Sequence, residues 1–219
     1  MEQDIEYKGC KIRIVADDNP ESPNEWGDDS AFLVYDHRQF MVKRDGFEPR
    51  DIWKYFNGED ASMGFLYEDY YAFPVEAYIH SGVKLSLYEA DITCQFDSSV
   101  TGYVLVKTKV ESMAGIKFIT KSMAKERAEG LLEIWNQYLS GEVYGFIIEK
   151  PTIYLKITEK YLEELNGSGN IEYETILEGA TTETEYKEVD SCWGYYGDPE
   201  ESGLIDEAKS VIDNFIKND

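Results

Sequence analysis

The sequence predicts an α+β fold, with a mostly antiparallel sheet packed against two amphipathic helices and a strand-helix-strand insertion. Three observations lead there. Short β-branched and aromatic runs recur between turn residues. Two long stretches, about Ser122 to Leu139 and Leu204 to Ile216, switch to helical period. A length of 219 residues suits one domain with a substantial core. The expected organisation is a single acidic domain over 1–219 with an inserted acidic subdomain at 150–188.

Cys10 to Val15 alternates as a first strand and runs into a loop marked by Pro20, Pro23 and Gly27. Ala31 to Tyr35 reads as a second strand. Asp51 to Phe56 predicts a short helix, and the aromatics Phe65, Tyr67, Tyr70, Tyr71 and Phe73 are expected in a partly helical connection. Strands follow at Val75 to Ile79, Val83 to Tyr88 and Gly102 to Val106. The first long helix places Ala128, Leu131, Leu132, Trp135, Tyr138 and Leu139 on one face, with Gly141 just past its end. Val143 to Ile148 and the alternating Ile153, Leu155 and Ile157 read as strands. A short helix near Thr158 to Leu165 and a strand near Ile171 to Leu177 come next. The polar run Thr181 to Glu185 then leads to a strand near Tyr186 to Trp193. The last helix is predicted to start at a Ser202 N-cap.

Forty-four acids against 21 lysines and arginines give a formal charge of -23. Such a field repels phosphate backbones and attracts basic surfaces, which argues against direct nucleic-acid binding. It also disfavours anionic membranes, and no stretch approaches the roughly 20 apolar residues of a membrane span. The start, Met1 to Glu6, lacks the basic flank and apolar run of a signal peptide, which predicts a cytoplasmic protein. With 14% aromatic residues the chain is expected to be ordered rather than an acidic disordered tail. Cys10, Cys94 and Cys192 are odd in number and far apart, so neither a disulfide framework nor a zinc site is expected, and they read as buried free thiols. No cofactor is implied.

Several strings together resemble a group of largely uncharacterised proteins carried by bacteriophages and other mobile elements of bacteria. They are Glu21-Ser22-Pro23-Asn24-Glu25-Trp26, Ile79-His80-Ser81-Gly82-Val83, Phe96-Asp97-Ser98 before Gly102-Tyr103-Val104, Gly141-Glu142-Val143-Tyr144-Gly145-Phe146, and Val189-Asp190-Ser191-Cys192-Trp193-Gly194-Tyr195-Tyr196-Gly197. In the first, Asn24 stands where the group has arginine. In the group the Tyr-Gly-Phe and Asp-Ser-Cys-Trp strings look like neighbouring strands of a short hairpin, whereas here Lys150 to Glu188 intervenes. The resemblance implies a mobile-element product acting inside a bacterial host.

Three functional readings arise. For thiol chemistry, His80 and Asp190 would activate Cys192, making a cysteine-dependent hydrolase or transferase. For a metal, the loop acids Asp17, Asp18, Glu21, Glu25, Asp28 and Asp29 offer hard oxygen ligands, but EF-hand spacing is absent and two prolines suit a solvated loop. For binding, residues 159–190 hold ten acids against Lys160 and Lys187. On a strand, alternate carboxylates stand about 6.5 to 7 Å apart, close to the spacing of phosphates along a nucleic-acid strand. Glu163, Glu164, Glu172, Glu174, Glu178, Glu183, Glu185 and Glu188 would form that array. The expected function is inhibition of a basic nucleic-acid-binding host defence protein, of anti-restriction or anti-CRISPR type, by nucleic-acid mimicry.

Overall fold

The computed structural model describes residues 3–27, 29–56, 58, 60–80, 82–89, 98–112, 115–157, 163 and 180–218. It is a mixed α and β structure whose strand pairs, where registered, are antiparallel. The chain divides into two compact units. One is formed by Met1–Ala16, Tyr144–Tyr195 and Pro199–Asp219, the other by Asp17–Val143 and Tyr196–Asp198.

In the first unit β1 (Gln3–Tyr7) and β2 (Cys10–Ala16) form a hairpin. Its turn residues Lys8 and Gly9 both take positive φ, 46° and 78°, matching the twist of the flanking strands. β2 pairs with β11 (Val143–Ile157), which places Ile12 opposite Ile148 and Ile14 opposite Phe146, and β12 (Ala180–Tyr196) lies on the far edge of β11. Helix α3 (Leu204–Asn218) covers one sheet face. It buries Leu204, Ala208 and Ile212, spaced four apart, against Ile12, Ile14, Phe146 and Ile148.

Three expectations change here. The two strands predicted at 143–148 and 153–157 are one continuous strand. The polar run Thr181 to Glu185 belongs to β12, and because the strand is exposed on both faces there it carries no apolar alternation. Ser202 does not cap α3: its Oγ is buried without a partner, while Gly203, at φ 82°, accepts the Glu207 N–H through its carbonyl. The helix and strand expected between Thr158 and Leu177 lie outside the described residues, apart from Glu163, which is helical and exposed.

The second unit is built on β3 (Ala31–His37), β4 (Phe40–Val42), β5 (Phe65–Tyr67), β6 (Tyr70–Ile79), β7 (Val83–Leu87) and β8 (Ser98–Lys107). The order is β4-β3-β8-β6-β5, with β7 pairing the later half of β6. The aromatics of 65–73 therefore sit in strands, not in a helical connection. Phe65 and Tyr67 are buried on one face with the apolar Leu66 at the exposed position between them, and Ala72 and Phe73 are buried on opposite faces, so the segment lacks the polar positions that would betray period two. A separate hairpin joins β9 (Lys109–Ser112) to β10 (Gly115–Phe118).

Alternation along β3 and β8 decides what each sheet face meets. Leu33, Tyr35, Val104 and Val106 pack with Ala124, Ala128, Leu132 and Trp135 of α2 (Lys121–Ser140). Phe32, Val34, Tyr103 and Leu105 pack on the other face with Ile52 of α1 (Pro49–Ile52) and with Phe65 and Tyr67. Burial pushes the Tyr103 hydroxyl up to about 12. Thr120 Oγ1 caps α2 by accepting the Met123 N–H, and Gly141 closes the helix at φ 75°. Gly102 is required for a different reason: a Cβ there would overlap the Tyr35 ring and the Val34 carbonyl.

Candidate functional site

The predicted carboxylate row is only partly in view, because Glu164, Glu172, Glu174 and Glu178 lie outside the described residues. Glu183, Glu185 and Glu188 stand exposed on β12. Lys156 joins Glu183 at 3.0 Å, and the Lys187 ammonium lies 5.0 Å from the Tyr154 ring. By alternation, Glu183 and Glu185 therefore share one face of the β11 and β12 ribbon with two lysines. Glu188 accepts the Ser191 hydroxyl at 3.0 Å. The described part of this ribbon is thus a mixed-charge surface, with Lys156 and Lys187 interleaved among its acids.

The thiol residues fall in both units: His80 directly follows β6, and Asp190 and Cys192 lie two apart on β12. His80 is exposed, donates its backbone N–H to the Gly82 carbonyl, and lies parallel to the Tyr78 ring at 6.4 Å. The Asp190 carboxylate accepts the N–H of its neighbour Ser191. Cys192 is exposed rather than buried, and its thiol approaches the Trp193 carbonyl at 4.0 Å. Cys10 is half-buried, and Cys94 lies outside the described residues.

In the first acidic loop the carboxylates serve the backbone and an arginine. Asp17 accepts the Asn19 N–H, Glu25 accepts the Ser22 N–H in a capping box, and Asp29 pairs with Arg44. The Glu21 backbone carbonyl accepts the Tyr196 hydroxyl. Asp18 is exposed, and Asp28 is outside the described residues. Among the described residues no three His, Cys, Asp or Glu side chains converge as a metal site. Asn24, in the position the resembled group gives to arginine, bridges the β3 backbone instead: its amide donates to Leu33 O at 2.7 Å and accepts Leu33 N–H at 3.1 Å. Arg44 reaches the Asn24 carbonyl and lies over the Phe32 ring, 4.3 Å from its centroid.

A more concentrated acidic surface lies in the second unit, where sequence reading did not place one. An open groove of about 940 Å³ runs beside β7 and α2. Glu76, Glu89, Glu129, Glu133 and Glu142 line it against Lys84. Glu76 stands opposite Ser86 in the β6 and β7 ladder and is only 9% exposed. Among the described residues nothing donates to its carboxylate, and burial raises its pKa above the ordinary carboxylate value. The signal available in the sequence was this one acid inside the apolar run Ala72 to Ile79.

β7 hydrogen-bonds to β6 alone among the described strands, so its other edge faces the groove. Asn136 of α2 reaches that edge: its amide donates to Leu85 O at 2.9 Å and accepts Leu85 N–H at 2.7 Å. No helix among the described residues is long and apolar enough to cross a membrane. No family model, curated protein or solved structure matches the chain.

Proposed function

We propose that this chain acts by binding, as a mobile-element product that inhibits a basic nucleic-acid-binding defence protein in the bacterial cytoplasm. The observation that carries the reading is the groove beside β7, where five carboxylates meet one lysine and the most buried of them, Glu76, has no cation among the described residues. A carboxylate removed from water without a partner is unfavourable until a cation arrives, and the surrounding acids attract one. Glu129 and Glu133, one helical turn apart on α2, set two of these charges about 6 Å apart on a rigid element, a spacing that suits a cationic surface made to hold phosphates. A formal charge of -23 adds a field that steers basic surfaces toward the molecule.

The groove, rather than the lysine-interleaved β12 ribbon, is the contact surface in this reading. Its test is capture from bacterial lysate with the whole chain at about 50 and about 300 mM salt, since charge-driven association weakens over that range. Wild type should recover a basic nucleic-acid-binding protein at low salt, and E129K/E133K should recover little of it. Recovery unaffected by that double reversal would overturn the assignment of the groove.

A further inference from the structure

We propose that the outer edge of β7 is a docking site for an extended basic segment of the partner, which adds to the sheet as a further strand. The inference rests on the reading that the partner is basic and names how it is held. Its starting point is the Asn136 and Leu85 contact. A neighbouring strand would offer Leu85 one N–H and one C=O, and the Asn136 carboxamide offers that same pair from a side chain. Asn136 thus holds the place of an absent strand.

Alternation extends the edge beyond Leu85. Strand residues two apart direct their backbone groups to the same side, so Val83 and Leu87 present N–H and C=O groups outward with Leu85. Tyr88, in the other phase, donates inward to the Pro74 carbonyl on β6. Among the described residues only Asn136 holds this edge, so an incoming strand takes over the Leu85 groups from it; such an edge is a template for pairing, and β-strand addition is a recurring mode of peptide capture.

The carboxylates are arranged for a basic strand. Val75, Ala77 and Leu85 face the core under α2, so Glu76 and Ser86 belong to the opposite sheet face. Acids therefore flank the edge on both sides: Glu76 behind Ser86 on one, where Lys84 shares the face, and Glu129 and Glu133 of α2 on the other. An added strand sends successive side chains to alternate faces, so adjacent lysines or arginines each meet a carboxylate. From the added strand to β6 is two strand spacings, about 10 Å. The combined length of a lysine and a glutamate side chain spans that distance over the small Ser86. Glu76, buried and without a cation among the described residues, is the acid such an ammonium group would complete.

The test uses the full chain with two synthetic probes, octalysine and octalysine methylated on every backbone nitrogen, read by fluorescence anisotropy and amide hydrogen exchange at low salt. Octalysine should bind and slow exchange at the Val83 and Leu87 amides at least tenfold. The methylated peptide, equal in charge but unable to donate to a strand, should bind at least tenfold more weakly. E76Q, checked for an unchanged circular dichroism spectrum, should weaken octalysine about fivefold. Equal binding of both peptides, or unchanged exchange at Val83 and Leu87, would sink strand addition while leaving a charge-driven partner in place. No binding of octalysine at all would remove both.

Discussion

Asn24 and Asn136 make the same contact at two different strand edges, each bridging the N–H and the C=O of one leucine, Leu33 and Leu85, through its carboxamide. Only an amide matches both groups at once. Asn24→Ala should lower stability by about 1–3 kcal/mol, because two part-buried backbone groups on Leu33 lose their partners. Urea unfolding of the two chains measures the difference, and a loss below about 0.5 kcal/mol would mean that water replaces the amide without cost.

Asn136→Ala should carry a similar cost and have a second effect. It leaves the β7 edge uncovered, and an uncovered edge promotes association between chains. Sedimentation at increasing concentration should show self-association in the variant that wild type lacks, and monodisperse behaviour at every concentration would count against an adhesive edge.

Gly145→Ala should destabilise the first unit by about 1–3 kcal/mol, since a Cβ at that position overlaps the Trp193 ring and crowds the Cys192 carbonyl. The tryptophan emission of the variant should shift if the ring is displaced. A variant as stable as wild type would show that the strands separate freely at this point.

Glu76→Gln should make the protein more stable near neutral pH, with the advantage vanishing in acid. Burial raises the folded-state pKa of this carboxyl above its unfolded value, so the folded chain binds its proton more tightly. The penalty is absent below the unfolded pKa and grows as pH rises through the folded one. Thermal melts of both chains between about pH 4 and pH 7 give the comparison, and a constant gap across that range would show that Glu76 is not the titrating group.

Cys192 should react faster with a thiol reagent than Cys10, as an exposed side chain does relative to a half-buried one. His80→Ala should leave that rate unchanged if exposure alone sets it. A marked fall in the variant would instead support the thiol chemistry that His80, Asp190 and Cys192 suggest by residue type.

The helices were legible because burial imposes a period on them: Ala128, Leu132 and Trp135 in α2, and Leu204, Ala208 and Ile212 in α3, mark one face each. β5 and the start of β6 were not, because the exposed position of β5 is the apolar Leu66 and because Ala72 and Phe73 are buried on opposite sheet faces, which leaves no polar alternation. The outer part of β12 failed for the opposite reason, with Thr181 to Val189 exposed on both faces. The groove was hidden by sequence distance. Asn136 lies 51 residues from Leu85, and Glu76 reaches the same surface as Glu129 only once β6 and α2 are in place. Counting acids located the charge-rich segment 159–190, but which acids stand without a nearby lysine is a tertiary property, as Lys156 and Glu183 show.

Octalysine affinity across a salt series in two variants of equal net charge tests most directly whether the acids beside β7 form the cation-binding surface. E129K/E133K alters the groove and E183K/E185K alters the β12 ribbon. The groove variant should lose at least tenfold in affinity with a shallower salt dependence, and the ribbon variant should follow wild type within about twofold. Equal losses in the two variants, or a larger loss in the ribbon, would contradict it.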